Sequence, residues 1–233
     1  MATLTVYPDP STGATTVDGR VSRYGVDETL GTIRAGAGNS HNDTGTGAQV
    51  ASLTGSSTSN QYSGADRFMM TFDTSALTAS ATISAAVLSI LGSGKTDGLL
   101  GETSANSVAV LVAATPASNN DLVDADYSQV GTTDFGRSVQ QNSWSTSAYN
   151  DITLSASGIA NISKTGISKF ATRYGWDFDN TTTGLTWADT ATQEIVGVSA
   201  DTADVTSDPK LVITYTISTG VSPRPTLLLM GVG

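Results

Sequence analysis

The chain has 233 residues, with 11 lysine and arginine residues against 21 aspartate and glutamate residues, so its formal net charge is −10 at pH 7. Its basic residues are scattered singly, which excludes the clustered positive surface that binds nucleic acid through phosphates. Cysteine is absent, which excludes disulfides, thiolate zinc sites and cysteine nucleophiles. No stretch approaches the roughly 18 apolar residues of a membrane-spanning helix, so we expect no membrane partner.

Charged residues make up 14% of the chain, well below the roughly 25% of an ordinary domain. Gly, Ser, Thr, Asn and Asp are abundant instead, and they favour turns and strand ends over helix interiors. Residues 1–10 contain neither the basic region nor the apolar run of a signal peptide. We therefore expect a β-rich protein that is made in the cytoplasm without an export signal.

Short apolar and β-branched runs separated by turn residues predict about ten strands and no substantial helix. The predicted strands cover residues 3–7, 15–23, 30–35, 67–73, 83–91, 107–115, 149–154, 168–174, 192–199 and 210–217. Between them, residues 36–64 consist mostly of small polar residues and predict a long loop with one weak strand at 49–53. Ile159 and Ile162 at helical spacing predict one or two helical turns over residues 157–163. This frequency of strands indicates a sandwich or barrel.

The sequence shows no internal repeat and no composition break before residue 217, so we predict one β domain over residues 1–217. A proline-containing linker and an apolar tail follow over residues 218–233. The tail either folds back on its own domain or docks on a neighbouring subunit, since an exposed apolar patch is otherwise an aggregation hazard. The predicted assembly residues are Leu227, Leu228, Leu229 and Met230.

Residues 66–91 carry the clearest pattern in the chain. Period-two alternation there places large apolar side chains on one face of a strand and a second set on the other, and a short corner leads into the next strand. The apolar set is Phe68, Met70 and Phe72, and the second set is Arg67, Met69, Thr71 and Asp73. This segment predicts the spine of a β-sandwich.

The corner residues of this segment have an architectural interpretation. Asp73 and Ser75 at the strand exit can accept backbone N–H groups and fix the corner. Arg67 at the strand entrance is placed to pair with a carboxylate. We therefore assign these residues to the scaffold and not to a functional site.

The same segment resembles the DNRLRE family of jelly-roll domains, in which an arginine enters a strand and Phe-Asp-x-Ser-x-Leu follows. The matching residues are Arg67, Phe72, Asp73, Ser75, Leu77, Ala81, Ile83, Ser84, Ala85 and Leu88. Residues 16–30 are similar to the family's opening and residues 207–215 to its closing strand. The resemblance implies an all-β fold, an antiparallel jelly-roll β-sandwich, close in shape to carbohydrate-binding modules.

A finer likeness concerns residues 169–187 (KFATRYGWDFDNTTTGLTW) and the apolar tail, both of which resemble phage and metagenomic virion proteins. It implies a virion structural protein exposed on the surface of a particle, with other virion proteins as partners. Virion proteins commonly assemble on symmetry axes, so we expect a homo-oligomer, with a trimer preferred.

Two patterns suggest catalysis, and each has a simpler interpretation. His41 is the only histidine and lies between Ser40 and Asp43, but a relay on a Gly-rich loop lacks the packing that orients the base. Asp177 and Asp179 share one face if they lie on a strand, as paired glycosidase carboxylates must. A polar strand face in contact with solvent explains them better, and we expect no enzymatic activity.

Two further groups suggest binding. Asp121, Asp124 and Asp126 in one loop, or Asp201, Asp204 and Asp208 in another, offer the oxygen ligands that calcium prefers, although a solvated acidic loop also explains them. Structural calcium is thus an open alternative to a protein without cofactors. Flat tryptophan rings bind the apolar faces of sugars, although most tryptophans in a sandwich are core. The stacking candidates are Trp187, Trp176 and Trp144, with Trp187 preferred.

The sequence therefore favours a non-enzymatic virion protein with a decoration, head-fibre or adhesin role, anchored to the particle through its tail. The alternative is a carbohydrate-binding or cell-surface adhesion module whose partners are cell-surface glycans. A hydrolase ranks third.

Overall fold

A computed structural model describes residues 1–10, 15–201 and 205–217 of the chain. Within these ranges the protein is mostly β, with a few short helices. The strands are β1 (Ala2–Val6), β2 (Asp18–Glu28), β3 (Ser40–Asn42), β4 (Gly47–Gly55), β5 (Tyr62–Asp73), β6 (Ala81–Asp97), β7 (Ala109–Ala113), β8 (Gly136–Arg137), β9 (Tyr149–Thr153), β10 (Ile167–Tyr174), β11 (Thr192–Val198) and β12 (Lys210–Ile217). The α-helices are α1 (Leu30–Ala35), α2 (Ala156–Ala160) and α3 (Gly175–Asp179).

The strands form one strongly curled antiparallel sheet, a half-barrel. Its order is β1-β12-β6-β11-β4-β5-β10-β7-β8, with β2 and β3 continuing beside β5 and β9 pairing with β6. The curvature encloses a single apolar core in which Phe170 packs edge-on against Phe72 and Phe135. The predicted all-β antiparallel class is thus confirmed.

Strand β5 lies at the centre of the curled sheet. β5 pairs with β2 over residues 62–70. It also pairs with β4 as far as Arg67 and with β10 from Phe68 onward. Both of its faces are buried, because the loop around residues 117–128 covers the face that carries Arg67 and Thr71. Thr71 Oγ1 donates to Asn119 O at 2.7 Å across this contact.

Strand β6 connects two regions of the sheet. Its first half pairs with β12 and β9, and its last residues pair with β11. The corner that leads from β5 into β6 is a single 3-10 turn (Ser75–Leu77) with Leu77 buried. Asp73 Oδ1 accepts the Ser75 backbone N–H at 3.0 Å, which confirms the predicted role of Asp73 in the corner.

Two predictions between residues 15 and 35 are wrong. Residues 30–35 are helix α1, because the Thr29 hydroxyl accepts the Thr32 backbone N–H as an N-cap and Leu30 and Ile33 both point into the core. Strand β2 also continues beyond its predicted end at residue 23 and ends only at Glu28.

The predicted long loop at residues 36–64 is wrong in extent, because the segment contains β3, β4 and the start of β5, but the weak strand predicted at 49–53 is confirmed as part of β4. Strand β4 lies inside the sheet between β11 and β5, and most of it is buried. Small side chains such as Ala48, Ala51 and Ser52 fit this crowded position, so the strand lacks the large apolar alternation by which strands are recognised.

Most other predicted strands are present within one to three residues of their expected limits, and the predicted helical turns after residue 156 are α2. The predicted apolar tail, including Leu227, Leu228, Leu229 and Met230, lies outside the described residues.

Asp18, the first residue of β2, accepts a backbone hydrogen bond from the chain that follows β11. Both of its carboxyl oxygens lie near the Ala200 backbone N–H, at 3.0 and 3.2 Å. Burial raises the pKa of Asp18 well above its usual range, the Ala200 hydrogen bond opposes this, and the charges of Asp201 and Asp208 add to it. The protonated form of Asp18 is therefore the one that the fold favours.

We predict that Asp18→Asn becomes more favourable relative to the natural chain as the pH rises from about 4. A carboxyl whose pKa is raised by folding stabilises the fold fully below its unfolded-state pKa, and this stabilisation is lost as the pH rises through the folded-state pKa. Asparagine keeps an acceptor for Ala200 and does not ionise. Urea unfolding at several pH values measures the difference, with the exposed Asp189→Asn as control. A difference that does not change with pH would contradict the assignment.

Candidate functional site

The predicted acidic pair does not share a face. Residues 175–179 form helix α3, which ends at Asn180 in the left-handed conformation (φ 51°), and not the strand that the alternation suggested. Positions two apart on a helix point in different directions. Asp177 is accordingly buried, whereas Asp179 lies at the surface 3.3 Å from Arg137. The interpretation of this pair as a polar face in contact with solvent is wrong for Asp177.

Asp177 instead forms the centre of a buried charge cluster. Arg67, which is 1% exposed, donates to both of its carboxyl oxygens at 2.9 Å. Arg173 also donates to both, with its Nε at 2.7 Å from Oδ2. Arg34 Nε lies 3.8 Å from Oδ1 and donates to the Asp177 backbone oxygen at 2.7 Å. We refer to Arg34, Arg67, Arg173 and Asp177 as the arginine cluster.

The arginine cluster keeps Asp177 ionised in spite of its burial. Removal from water by itself would raise the pKa of this carboxyl, but the charges and hydrogen bonds of Arg67 and Arg173 outweigh that effect and lower its pKa to about 2. Arg67 also donates to the Tyr127 and Arg34 backbone oxygens, and its guanidinium lies 4.0 Å from the centre of the Tyr127 ring. The predicted pairing of Arg67 with a carboxylate is thereby confirmed.

In the acidic loop that contains Asp121, Asp124 and Asp126, two of the carboxylates form hydrogen bonds or ion pairs within the protein. Asp126 accepts the Ala117 backbone N–H at 3.0 Å and the Val123 backbone N–H at 2.9 Å, which starts a 3-10 turn (Asp124–Ser128). Asp124 lies 2.7 Å from His41 Nδ1, and Asp121 is exposed.

No group of three or more acidic or histidine side chains is placed to hold a metal ion within the described ranges. In the second predicted calcium set, Asp208 is buried near Asp18, and Asp204 lies outside the described residues.

His41 is not part of the relay with Ser40 and Asp43 that we considered. Its ring pairs with Asp124, and both side chains are partly exposed. Asp43 points away into the protein, where it accepts the Leu122 backbone N–H at 3.0 Å. Asp43 lies beyond the end of β3 (Ser40–Asn42), and the His41–Asp124 pair connects β3 with the acidic loop.

Two of the three glycan-stacking candidates are core residues. Trp144 is 2% exposed and Trp176 is fully buried, and Trp176 Nε1 donates to Thr183 O at 2.9 Å. Tyr174 packs against Trp176 with the ring centres 5.0 Å apart. Neither ring presents a face to a sugar, so both stacking predictions are wrong.

Trp187 is the one predicted stacking residue with a partly exposed ring. Its Nε1 donates to Gln61 O at 3.0 Å, which fixes the ring against the turn between β4 and β5. The neighbouring Thr186 N–H donates to Leu99 O at 2.8 Å, so the next residue, Leu100, lies close by. Leu100 is 67% exposed and has a left-handed backbone (φ 51°), a conformation that costs a branched residue energy. Trp187 and Leu100 form what we call the loop rim.

Sequence reasoning missed most of the arginine cluster and all of Leu100. Arg173 and Asp177 are only four residues apart, but they meet across the junction of β10 and α3, which the sequence pattern did not reveal. The partners Arg67 and Asp177 are 110 residues apart, and no local pattern connects them. Within the described ranges no helix is both long and apolar enough to cross a membrane.

We predict that Asp177→Asn lowers the free energy of unfolding by about 3–5 kcal/mol, because it leaves the buried arginines without their counter-charge. Asp179→Asn, two residues away in a partly exposed ion pair, should cost about 1 kcal/mol or less. The natural chain should also lose the Asp177 contribution as the pH falls from about 4 towards 2, because a lowered folded-state pKa stabilises only above it. Equal effects of the two substitutions in chemical unfolding would contradict a central role for the cluster.

Comparison with models of known protein families and with curated proteins finds no match to this chain.

Proposed function

We propose that this chain is a non-enzymatic structural protein of a phage particle, exposed on its capsid or tail. The observation that carries the proposal is the use of reactive side chains as scaffold. Asp177 is bound by arginines, Asp126 caps a turn, and His41 fastens a loop to β3. What the molecule offers to partners is its surface: sheet faces and short, well-fixed loops.

The curled sheet is in our proposal a jelly roll of the DNRLRE type. Support comes from the residues of the resemblance and their scaffold roles. Arg67 is fixed by Asp177, Asp73 closes the corner, and Leu77 is buried beneath it. The passage of β6 from β12 to β11 also gives the sheet its strong curvature, as a closed two-layer arrangement needs.

A low content of charge in the surface suits a rigid component of a particle. Hydroxyl groups bond to the protein itself, such as those of the buried Ser56 and the exposed Thr58, which both donate to Asp27. Such contacts hold loops in place and do not depend on long charged side chains. The protein would be made in the host cytoplasm and assembled as a closed ring of identical copies, with a trimer preferred.

Attachment to the particle is assigned in this proposal to residues 218–233. They directly follow β12, whose last residue, Ile217, is 48% exposed. Leu227, Leu228, Leu229 and Met230 supply the apolar contact with other virion proteins.

We predict that a chain without residues 219–233 folds with an unchanged unfolding midpoint but is lost from assembled particles, because the apolar contact is missing. Immunoblotting of purified particles measures incorporation, and circular dichroism checks the fold. A full-length chain with Arg224→Ala is the control and should incorporate normally. A truncated chain that still enters particles at the natural level would refute the anchoring.

The alternative is a carbohydrate-binding or cell-surface adhesion module, and the loop rim favours it. A partly exposed tryptophan that is held by a hydrogen bond offers a small apolar platform for one sugar ring. In this proposal the partners are glycans on the surface of a cell.

If the loop rim binds glycans, Trp187→Ala should weaken that binding at least about tenfold, as loss of an aromatic platform of 1.4 kcal/mol or more implies. Trp187→Phe should keep most of it, because the ring remains and only the hydrogen bond to Gln61 is lost. Tyr7→Ala, at an exposed aromatic residue in another part of the chain, is the control. A glycan array with all four proteins measures the effect. Binding that survives Trp187→Ala would remove the loop rim from consideration.

A further inference from the structure

Strands β1, β12, β6 and β9 form one end of the curled sheet, and the two faces of this end differ. Side chains on the inner face pack into the core, among them Leu211, Ile213 and Leu88. Side chains on the outer face are exposed or half-exposed. The register of the strands decides which residues stand side by side there.

The outer face consists of three aligned rows of small residues. The first row is Thr5, Val212, Val87 and Thr153, the second is Thr3, Thr214 and Ala85, and the third is Thr216 and Thr82. Each row runs across the strands, which are about 4.8 Å apart, and the rows repeat every two residues, about 6.7 Å along a strand. We call these nine residues the threonine face.

The threonine face carries no charge, although the chain as a whole has a formal charge of −10. Charged residues begin only at the next row, where Lys210 lies over the Tyr149 ring and Asp151 accepts a hydrogen bond from Ser89. Methyl groups of threonine, valine and alanine dominate the face. An uncharged centre with a polar margin is the arrangement found in the buried centre of protein interfaces.

We propose that the threonine face is the surface through which two copies of this chain associate. Two molecules of charge −10 repel each other across most orientations. Pairing of the two threonine faces brings no carboxylate of one copy against a carboxylate of the other at its centre. Sheet faces pack on one another with their side chains interdigitated at a separation of about 10 Å, and a second copy presents the same uncharged rows in return.

The size of the face sets the strength of this association. Nine residue positions, each about 4.8 by 6.7 Å, cover roughly 300 Å² per copy. This is less than half of the roughly 800 Å² per partner in a standard stable interface. The two copies therefore form a weak, concentration-dependent dimer in solution, which further contacts in an assembly strengthen.

Strand β1 is the end strand of the described sheet order and pairs there with β12 alone. Its residues Thr3 and Thr5 are exposed, and the strand contains neither a charged residue nor a proline. Natural edge strands usually carry such residues against unwanted pairing. Their absence fits a strand that is covered in the working protein.

The inference rests on the self-association in the proposed function and on no other part of it; because contact between two identical faces is two-fold, it predicts a dimeric contact and not the trimer preferred there. We predict that the natural chain shows a concentration-dependent monomer–dimer equilibrium in sedimentation velocity. Thr214→Glu at the centre of the face should weaken it at least about tenfold, because the symmetric contact then brings two like charges together. Thr186→Glu adds the same charge on an exposed loop and should leave the equilibrium unchanged.

Thr5→Glu on β1, a more exposed position of the same face, gives a second variant if Thr214→Glu unfolds. A natural chain that stays monomeric up to millimolar concentration would overturn the proposal, and so would a dimer that tolerates both glutamates. A dimer that disappears only when residues 219–233 are removed would assign the contact to the tail. If Thr214→Glu abolishes the dimer but the variant still enters particles, the result supports the threonine face as the contact between copies. The chain without residues 219–233 then tests the anchoring separately.

Discussion

The ion pairs that the Asp177 carboxylate forms with three arginines are the interaction on which the rest of the fold depends most. It accepts hydrogen bonds from Arg67 in the central strand β5 and from Arg173 at the end of β10, while α1 reaches it through Arg34. Through the Tyr127 backbone oxygen the same cluster also fixes the acidic loop. A single buried charge thus positions two neighbouring strands, two helices and a long loop relative to one another.

Burying these charges costs free energy, and this cost explains why each charged group of the cluster is paired. Burying an arginine or an aspartate without partners would destabilise the fold by several kcal/mol, so every contact around Asp177 must be present together. Buried polar groups that are fully paired also favour one packing over others. For a chain with few large aromatic residues, this specificity complements the apolar core around Phe72 and Phe170. The cluster is scaffold, and it leaves function to the surfaces.

Two surface regions of the described residues lie in different parts of the fold. The threonine face occupies one end of the sheet, and the loop rim with Trp187 lies beside the turn between β4 and β5. The apolar tail follows β12 in the sequence. In the proposed function the first is a contact between copies, the second an exposed rim and the third the site of attachment.

Local pattern was enough to predict strands with large alternating side chains, such as β5 and β12, and the corner fixed by Asp73. It failed where tertiary packing decides the conformation. Strand β4 was predicted only as a weak strand over residues 49–53, because its small residues show no clear period. Helix α1, predicted as a strand, is a six-residue helix that depends on burial of Ile33. In α3 the Trp-Asp-Phe-Asp alternation imitates a strand, and only Asn180 as a left-handed C-cap hints at a helix. The pairing of Arg67 with a carboxylate was predictable from the sequence. The identity of that carboxylate was not, because Asp177 lies 110 residues away in the chain.

Imaging of a native particle at a resolution that traces side chains would locate the chain and its contacts. If the proposed function is right, the half-barrel lies on the particle surface about a symmetry axis, with threonine faces in contact between copies and residues 218–233 entering the shell. Particles that lack the chain altogether, or that hold it with the tail in solvent and the threonine face bare, would overturn the proposed function.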